Sequence, residues 1–183
     1  MRIRNSAKTY GSVAIGLHWI VAVLVPAAWI SGHLGDMLSR QSHDTGLFMH
    51  VSLGLAMLGF ALARLAWRLA DPPPVPEATK FGSWTVHVSE IVHLLIYGIM
   101  FAIPVLGILT QFARGEALPL FGLVDIVSPW AGDRGFAHDM KEMHEVLANG
   151  LIILIGLHAG AALLHHYWLH DRTLKRMVPG LRG

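Results

Sequence analysis

The distribution of charge constrains this chain more than any other feature. No Asp, Glu, Lys or Arg occurs between Lys8 and Asp36, Asp44 and Arg64, Glu90 and Arg114, or Glu145 and Asp171. The four gaps hold 27, 19, 23 and 25 residues. A hydrocarbon core about 30 Å thick is crossed by about 20 apolar residues of helix, so each gap is long enough to span it. Charged residues make up 14% of the chain and hydrophobic ones 54%, whereas a soluble domain carries about 25% charge. A soluble globule is excluded. The expectation is an all-α integral membrane protein in which residues 1–183 form one four-helix transmembrane bundle. The first gap is too long for a signal peptide and lacks a small-residue cleavage site, so it reads as a retained span.

The charges also orient the bundle. With the N-terminus in the cytoplasm, ten of the 14 basic residues lie inside, and only Arg40, Arg114, Arg134 and Lys141 lie outside. Lys and Arg accumulate on the cytoplasmic side of membrane proteins, so both termini are expected there. The net charge of +2 then marks a membrane face bordered by lipid, and no nucleic-acid partner is expected. Helices are expected over about 11–32, 47–69, 84–112 and 140–169. The first contains Pro26, and the third a bend at Pro104 and Gly107. A polar loop, Gly35 to Gly46, joins the first two. Asp71-Pro72-Pro73-Pro74-Val75-Pro76 ends the second, because proline cannot continue a helix. In the long connection Ala113 to Met140, the run Leu118 to Val127 is expected to dip into the membrane interface beside Trp130.

Twelve histidines are unusual in so apolar a chain, since an imidazole inside a bilayer needs a partner. The chain has no cysteine, which excludes disulfides, iron–sulfur clusters, thiolate zinc sites and covalently attached haem. His18, His50, His144 and His158 stand within charge-free spans or at their edges. His144 and His158 are 14 residues apart, 1400° of helix, so they share a face at heights about 21 Å apart. Helix direction puts His50 level with His144 on the outer side, and His18 level with His158 on the inner side. Two opposed imidazoles suit axial ligation of a b-type haem between helices. Zinc sites take three or four clustered protein ligands, which fits two pairs so far apart less well. Gly16, Gly54, Gly150 and Gly160 lie near these histidines and would let a flat cofactor approach the backbone. Arg64, 14 residues after His50, either pairs with a haem propionate or is an ordinary cytoplasmic-side arginine. His165, seven residues past His158, with His166, Tyr167 and Trp168, would line either a quinone site or an interfacial aromatic belt.

Five stretches carry a resemblance: Ile15-Gly16-Leu17-His18-Trp19, Met49-His50-Val51-Ser52-Leu53-Gly54, Val92-His93-Leu94-Leu95-Ile96-Tyr97, Lys141 to Asn149, and Gly156 to Tyr167. They cover all four helices in order, and the sequence resembles the bacterial cytochrome b561 family. The resemblance implies a bacterial inner-membrane protein with two b haems on His18, His50, His144 and His158. It also implies an enzyme, a superoxide:ubiquinone oxidoreductase that takes electrons from superoxide at the periplasmic face and delivers them to ubiquinone. A histidine matching His165 belongs to the quinone end, and Arg114 and Lys141 match outer positions where positive charge would guide an anion. The inner proline-rich loop departs from the family by carrying Glu77 where a lysine is expected, with Lys80 three residues on. Because the outer loops hold eight acidic and four basic residues, only a local cluster such as Arg114 with Lys141 would attract superoxide. The alternative is a non-catalytic electron carrier or anchor passing electrons between a dehydrogenase or hydrogenase partner and quinone.

Overall fold

In the computed structural model the described residues are 2–37, 40–77, 82, 84–178 and 181, with the side chains of 35–44 excepted. Lys80 and Arg182, counted above as inner cations, and the Arg40 side chain, counted as outer, lie outside what is described. The order of elements is α1 (Ser12–Met37), α2 (Arg40–Ala70), α3 (Trp84–Ala113), β1 (Leu118–Leu120), β2 (Val124–Ile126) and α4 (Arg134–Tyr167). Four helices are long and apolar enough to cross a membrane, over Ser12–Leu34, Thr45–Ala70, Trp84–Ala113 and Arg134–Tyr167.

Helix and span are different quantities, and the structure separates them. The polar stretch expected as a loop over Gly35 to Gly46 is mostly helical: α1 runs on to Met37, and α2 begins at Arg40. Charge marks where lipid ends, but only a backbone obstacle ends a helix, and this stretch contains no proline. Likewise α4 begins at Arg134 and not near Met140, because the Asp133 side chain caps it by accepting the Phe136 N–H at 3.1 Å. It closes at Tyr167, where the Leu164 carbonyl accepts from both Trp168 and Leu169. The run expected to dip into the interface is a small antiparallel hairpin pairing Leu118 with Ile126 and Leu120 with Val124. Leu123, Val124 and Val127 are exposed on it.

Helix α1 packs along α2, and α3 along α4, whereas the two helical pairs meet each other sparsely. Where all four helices do meet, the core consists of Val21, Val25, Met57, Ala61, Met100, Ile103 and Leu151. One end of the bundle gathers the N-terminal tail, the proline-rich loop and the C-terminal segment. Asn5 donates to Asp71 and Pro72, Arg176 pairs with Glu77 and donates to the Val75 carbonyl at 2.7 Å, and Trp19 Nε1 donates to the Met177 carbonyl at 2.7 Å. The β-hairpin lies at the other end. Both termini therefore belong to the same end of the bundle.

Candidate functional site

Every helix carries one trio at seven-residue spacing. The trios are His18–Val25–Gly32, His50–Met57–Arg64, His93–Met100–Gly107 and His144–Leu151–His158. Seven residues turn 700°, within 20° of two full turns, so each trio lies along one helix face at about 10 Å intervals. All four middle members are buried. The trios thus build a hydrophobic central layer between two polar ones. The layer at the hairpin end holds His50, His144, Gly32 and Gly107. The layer at the termini end holds His18, His93, His158 and Arg64.

In the hairpin-end layer each imidazole rests on a glycine of its neighbour helix. A Cβ on Gly32 would lie 3.0 Å from His50 Cε1, and one on Gly107 would lie 3.3 Å from His144 Cε1. Each ring is then fixed by a backbone carbonyl one helical turn before that glycine. His50 Nδ1 donates to Ala28 O at 2.9 Å, and His144 Nδ1 donates to Ile103 O at 2.8 Å. A carbonyl only accepts, so in the neutral rings Nδ1 carries the hydrogen and Nε2 keeps its lone pair. That is how proteins commonly set an imidazole as a metal ligand. The two rings face each other across the seam with centroids 5.8 Å apart at 74°.

A cavity of about 440 Å³ opens beside them, lined by His50, His144, the glycines 32, 54 and 107, Arg114 and Lys141 among others. It falls within the roughly 300–1,000 Å³ of cofactor and ligand sites. Lys141 forms an ion pair with Glu145 at 3.0 Å, and Glu145 also lines the cavity. Arg114, which lines the same cavity as Lys141, makes no ion pair among the described residues.

The termini-end layer is built differently. His93 and His158 lie with ring centroids 5.2 Å apart at 81°. The heptad frame places His18 and Arg64 at the same level. The Arg64 guanidinium sits 5.5 Å above the Tyr97 ring, and among the described residues no carboxylate pairs with it. The buried His18 Nδ1 has no hydrogen-bond partner among the described residues. His93 Nδ1 donates to the Ser89 carbonyl at 2.6 Å, which leaves its Nε2 open.

The structure therefore brings His50 to His144, and His18 to the level of His158 with Arg64 beside them. It also adds His93, from the stretch Val92 to Tyr97, for which no role is expected from spacing alone. The signal was present: His93 lies inside the third charge-free gap, one heptad from Met100 and two from Gly107. Of the glycines expected to make room, Gly54 lines the cavity, whereas a Cβ at Gly16, Gly54, Gly150 or Gly160 would meet no protein atom within 4 Å. Gly32 and Gly107 are the ones pressed against imidazoles. His165, at the end of α4, accompanies Asp171 and not the histidine layers.

A helical membrane bundle with imidazoles facing across its seam at two levels has the construction of a membrane cytochrome. The model of the family described as prokaryotic cytochrome b561 matches residues 9–180. The probable superoxide oxidase CybB of Yersinia pestis is 38% identical over 178 residues, 96% of this chain and 99% of that protein. Cytochrome b561 homolog 2 of Escherichia coli K12 is 29% identical over 183 residues, covering 97% and 95%. Cytochrome b561 homolog 1 of the same organism is 30% identical over 181 residues, covering 93% and 97%. The chain belongs to the cytochrome b561 family. It is a multi-pass electron-transfer protein of the bacterial inner membrane, from a family that binds haem b.

Proposed function

We propose that this protein oxidises superoxide at its hairpin end, facing the periplasm, and reduces ubiquinone at its termini end, facing the cytoplasm. Two superoxide anions, one quinone and two protons give two dioxygen molecules and one quinol. The observation that carries the reading is the hairpin-end cavity, lined by two imidazoles whose Nδ1 atoms are bonded to carbonyls, which leaves Nε2 a lone pair, and by Arg114, which makes no ion pair among the described residues. The name of the Yersinia relative, a probable superoxide oxidase, supports it.

Two b haems, when bound, supply a one-electron relay across the membrane. His50 and His144 hold the first, and the carbonyls of Ala28 and Ile103 keep both rings in the ligating tautomer. His18 and His158 hold the second, with Arg64 free of carboxylates and available to a propionate. Among the described residues the buried Nδ1 of His18 has no partner and Arg64 no carboxylate, and both fit such a group. Arg114 attracts the anion, with Lys141 contributing less because Glu145 partly cancels it. His165 lies at the quinone end. Lys80 falls outside the described residues, and Glu77 is engaged by Arg176, so that loop offers quinone no free cation among the described residues.

The test is a redox spectrum of the purified protein followed by stopped-flow mixing with superoxide, with and without a short-chain ubiquinone. Superoxide is expected to reduce the haems within the mixing experiment, and quinone to reoxidise them. Reduction by a quinol or protein donor but not by superoxide would favour the electron-carrier reading.

A further inference from the structure

Past the last turn of α4 the chain folds back onto His165. The Asp171 N–H donates to the His165 carbonyl at 3.1 Å. His165 Nδ1 donates to Asp171 Oδ2 at 2.5 Å, and the Thr173 N–H donates to Asp171 Oδ1 at 2.9 Å. The two side chains are largely enclosed, 24% and 13% exposed. Burial pushes the Asp171 carboxyl up, but the bonds from Thr173 and His165 outweigh it and hold the group below the ordinary carboxylate range. It is an anion at neutral pH.

An ionised carboxylate only accepts, so the proton of this pair resides on Nδ1. Nε2 makes no hydrogen bond among the described residues. His165 also stands one heptad beyond His158 on the same face of α4, about 10 Å nearer the termini end. The surrounding segment is anchored: Arg176 is committed to Glu77 and the Val75 carbonyl, and Trp19 holds the Met177 carbonyl. An imidazole fixed in one tautomer by a largely enclosed carboxylate is the arrangement by which proteins orient a proton-transferring histidine. A helix stop alone would not need it, because the Leu164 carbonyl already accepts the Trp168 and Leu169 N–H groups.

We infer that Asp171 is the positioning residue of a proton-delivery site, holding His165 so that Nε2 passes a proton to the carbonyl oxygen of a bound quinone as it is reduced. This rests on the reading of the termini end as the quinone site. The quinone takes two electrons, drawn from two superoxide anions, and two protons. Before each delivery Nε2 takes a proton from cytoplasmic water, giving an imidazolium; the Nε2–H bond then breaks as an O–H bond forms on the quinone. Nδ1–H stays with Asp171 throughout.

The experiment uses full-length haem-loaded protein in detergent, reduced with dithionite and mixed with a short-chain ubiquinone. Asp171→Asn, which keeps the shape and removes the charge, is expected to slow haem reoxidation at saturating quinone by about 10-fold or more. The quinone concentration for half-maximal rate stays within about twofold, and Asp171→Glu recovers most of the rate. A second readout is independent of turnover. In nitrogen-15 spectra of the reduced, histidine-labelled protein, the low-field Nδ1–H resonance of His165 is present in the wild type and lost in Asp171→Asn. Unchanged haem spectra show that the variants are folded. If Asp171→Asn reoxidises at the wild-type rate, or Asp171→Glu is as slow as Asp171→Asn, Asp171 is only a structural clasp. If the wild type is not reoxidised by quinone, the function reading falls and this assignment with it.

Discussion

The two polar layers stand on the same heptad frame and fill it in opposite ways. At the hairpin end, two histidines face two glycines, and the missing side chains leave a cavity of about 440 Å³ with both rings fixed by carbonyls. At the termini end no glycine occupies the frame. Three imidazoles and a guanidinium share the level, and among the described residues His18 Nδ1 is left without a partner. The hairpin end is therefore organised by space and the termini end by charge. On the proposed function, admitting an anion from water calls for the opening at the hairpin end, and an Arg among imidazoles within a membrane calls for a partner.

The largest expected effect removes one layer and leaves the other. His50→Ala or His144→Ala should lower the haem-to-protein ratio from two to one by deleting the hairpin-end haem. His18→Ala or His158→Ala should delete the other. A wild-type ratio near one would end the two-layer comparison. Next is a test of space: Gly32→Leu drives a side chain into the His50 ring and should abolish most hairpin-end haem while sparing the termini-end haem. Gly16→Ala, whose added Cβ meets no protein atom within 4 Å, serves as a control.

A smaller effect is expected at the crowded layer. His93→Ala should keep both haems and shift only the spectrum and potential of the termini-end one. If His93→Ala loses that haem and His18→Ala keeps it, His93 replaces His18 as ligand. The smallest effect concerns steering. Arg114→Glu should slow superoxide-driven haem reduction about 10-fold at low salt, with the difference fading as ionic strength rises. Lys141→Glu should do less, since Glu145 already offsets that charge. Equal rates for wild type and Arg114→Glu at low salt would remove electrostatic guidance from the hairpin end.

Much of this was legible beforehand because a helix converts sequence spacing directly into height and facing. The charge-free gaps gave four spans, and the 14-residue step from His144 to His158 gave two levels. Pairing His50 with His144 required only chain direction. Helix ends were less legible: α1 and α4 continue past their spans, since polarity limits the lipid-facing stretch and not the hydrogen-bond ladder. His93 is within reach of the same periodicity, but that its ring meets His158 at 5.2 Å depends on how α3 is rotated against α4.

The sequence by itself determined that this chain is a four-helix membrane bundle with histidines at two levels, because apolar length and helical period are properties of one segment at a time. Only the tertiary structure decided which glycines the imidazoles rest on, which carbonyls set their tautomers, that Lys141 is spent on Glu145, and that Asp171 turns back to grip His165. Those facts depend on how each helix is rotated against its neighbour and where the chain goes after a helix stops. Neither is encoded in the spacing along any one helix.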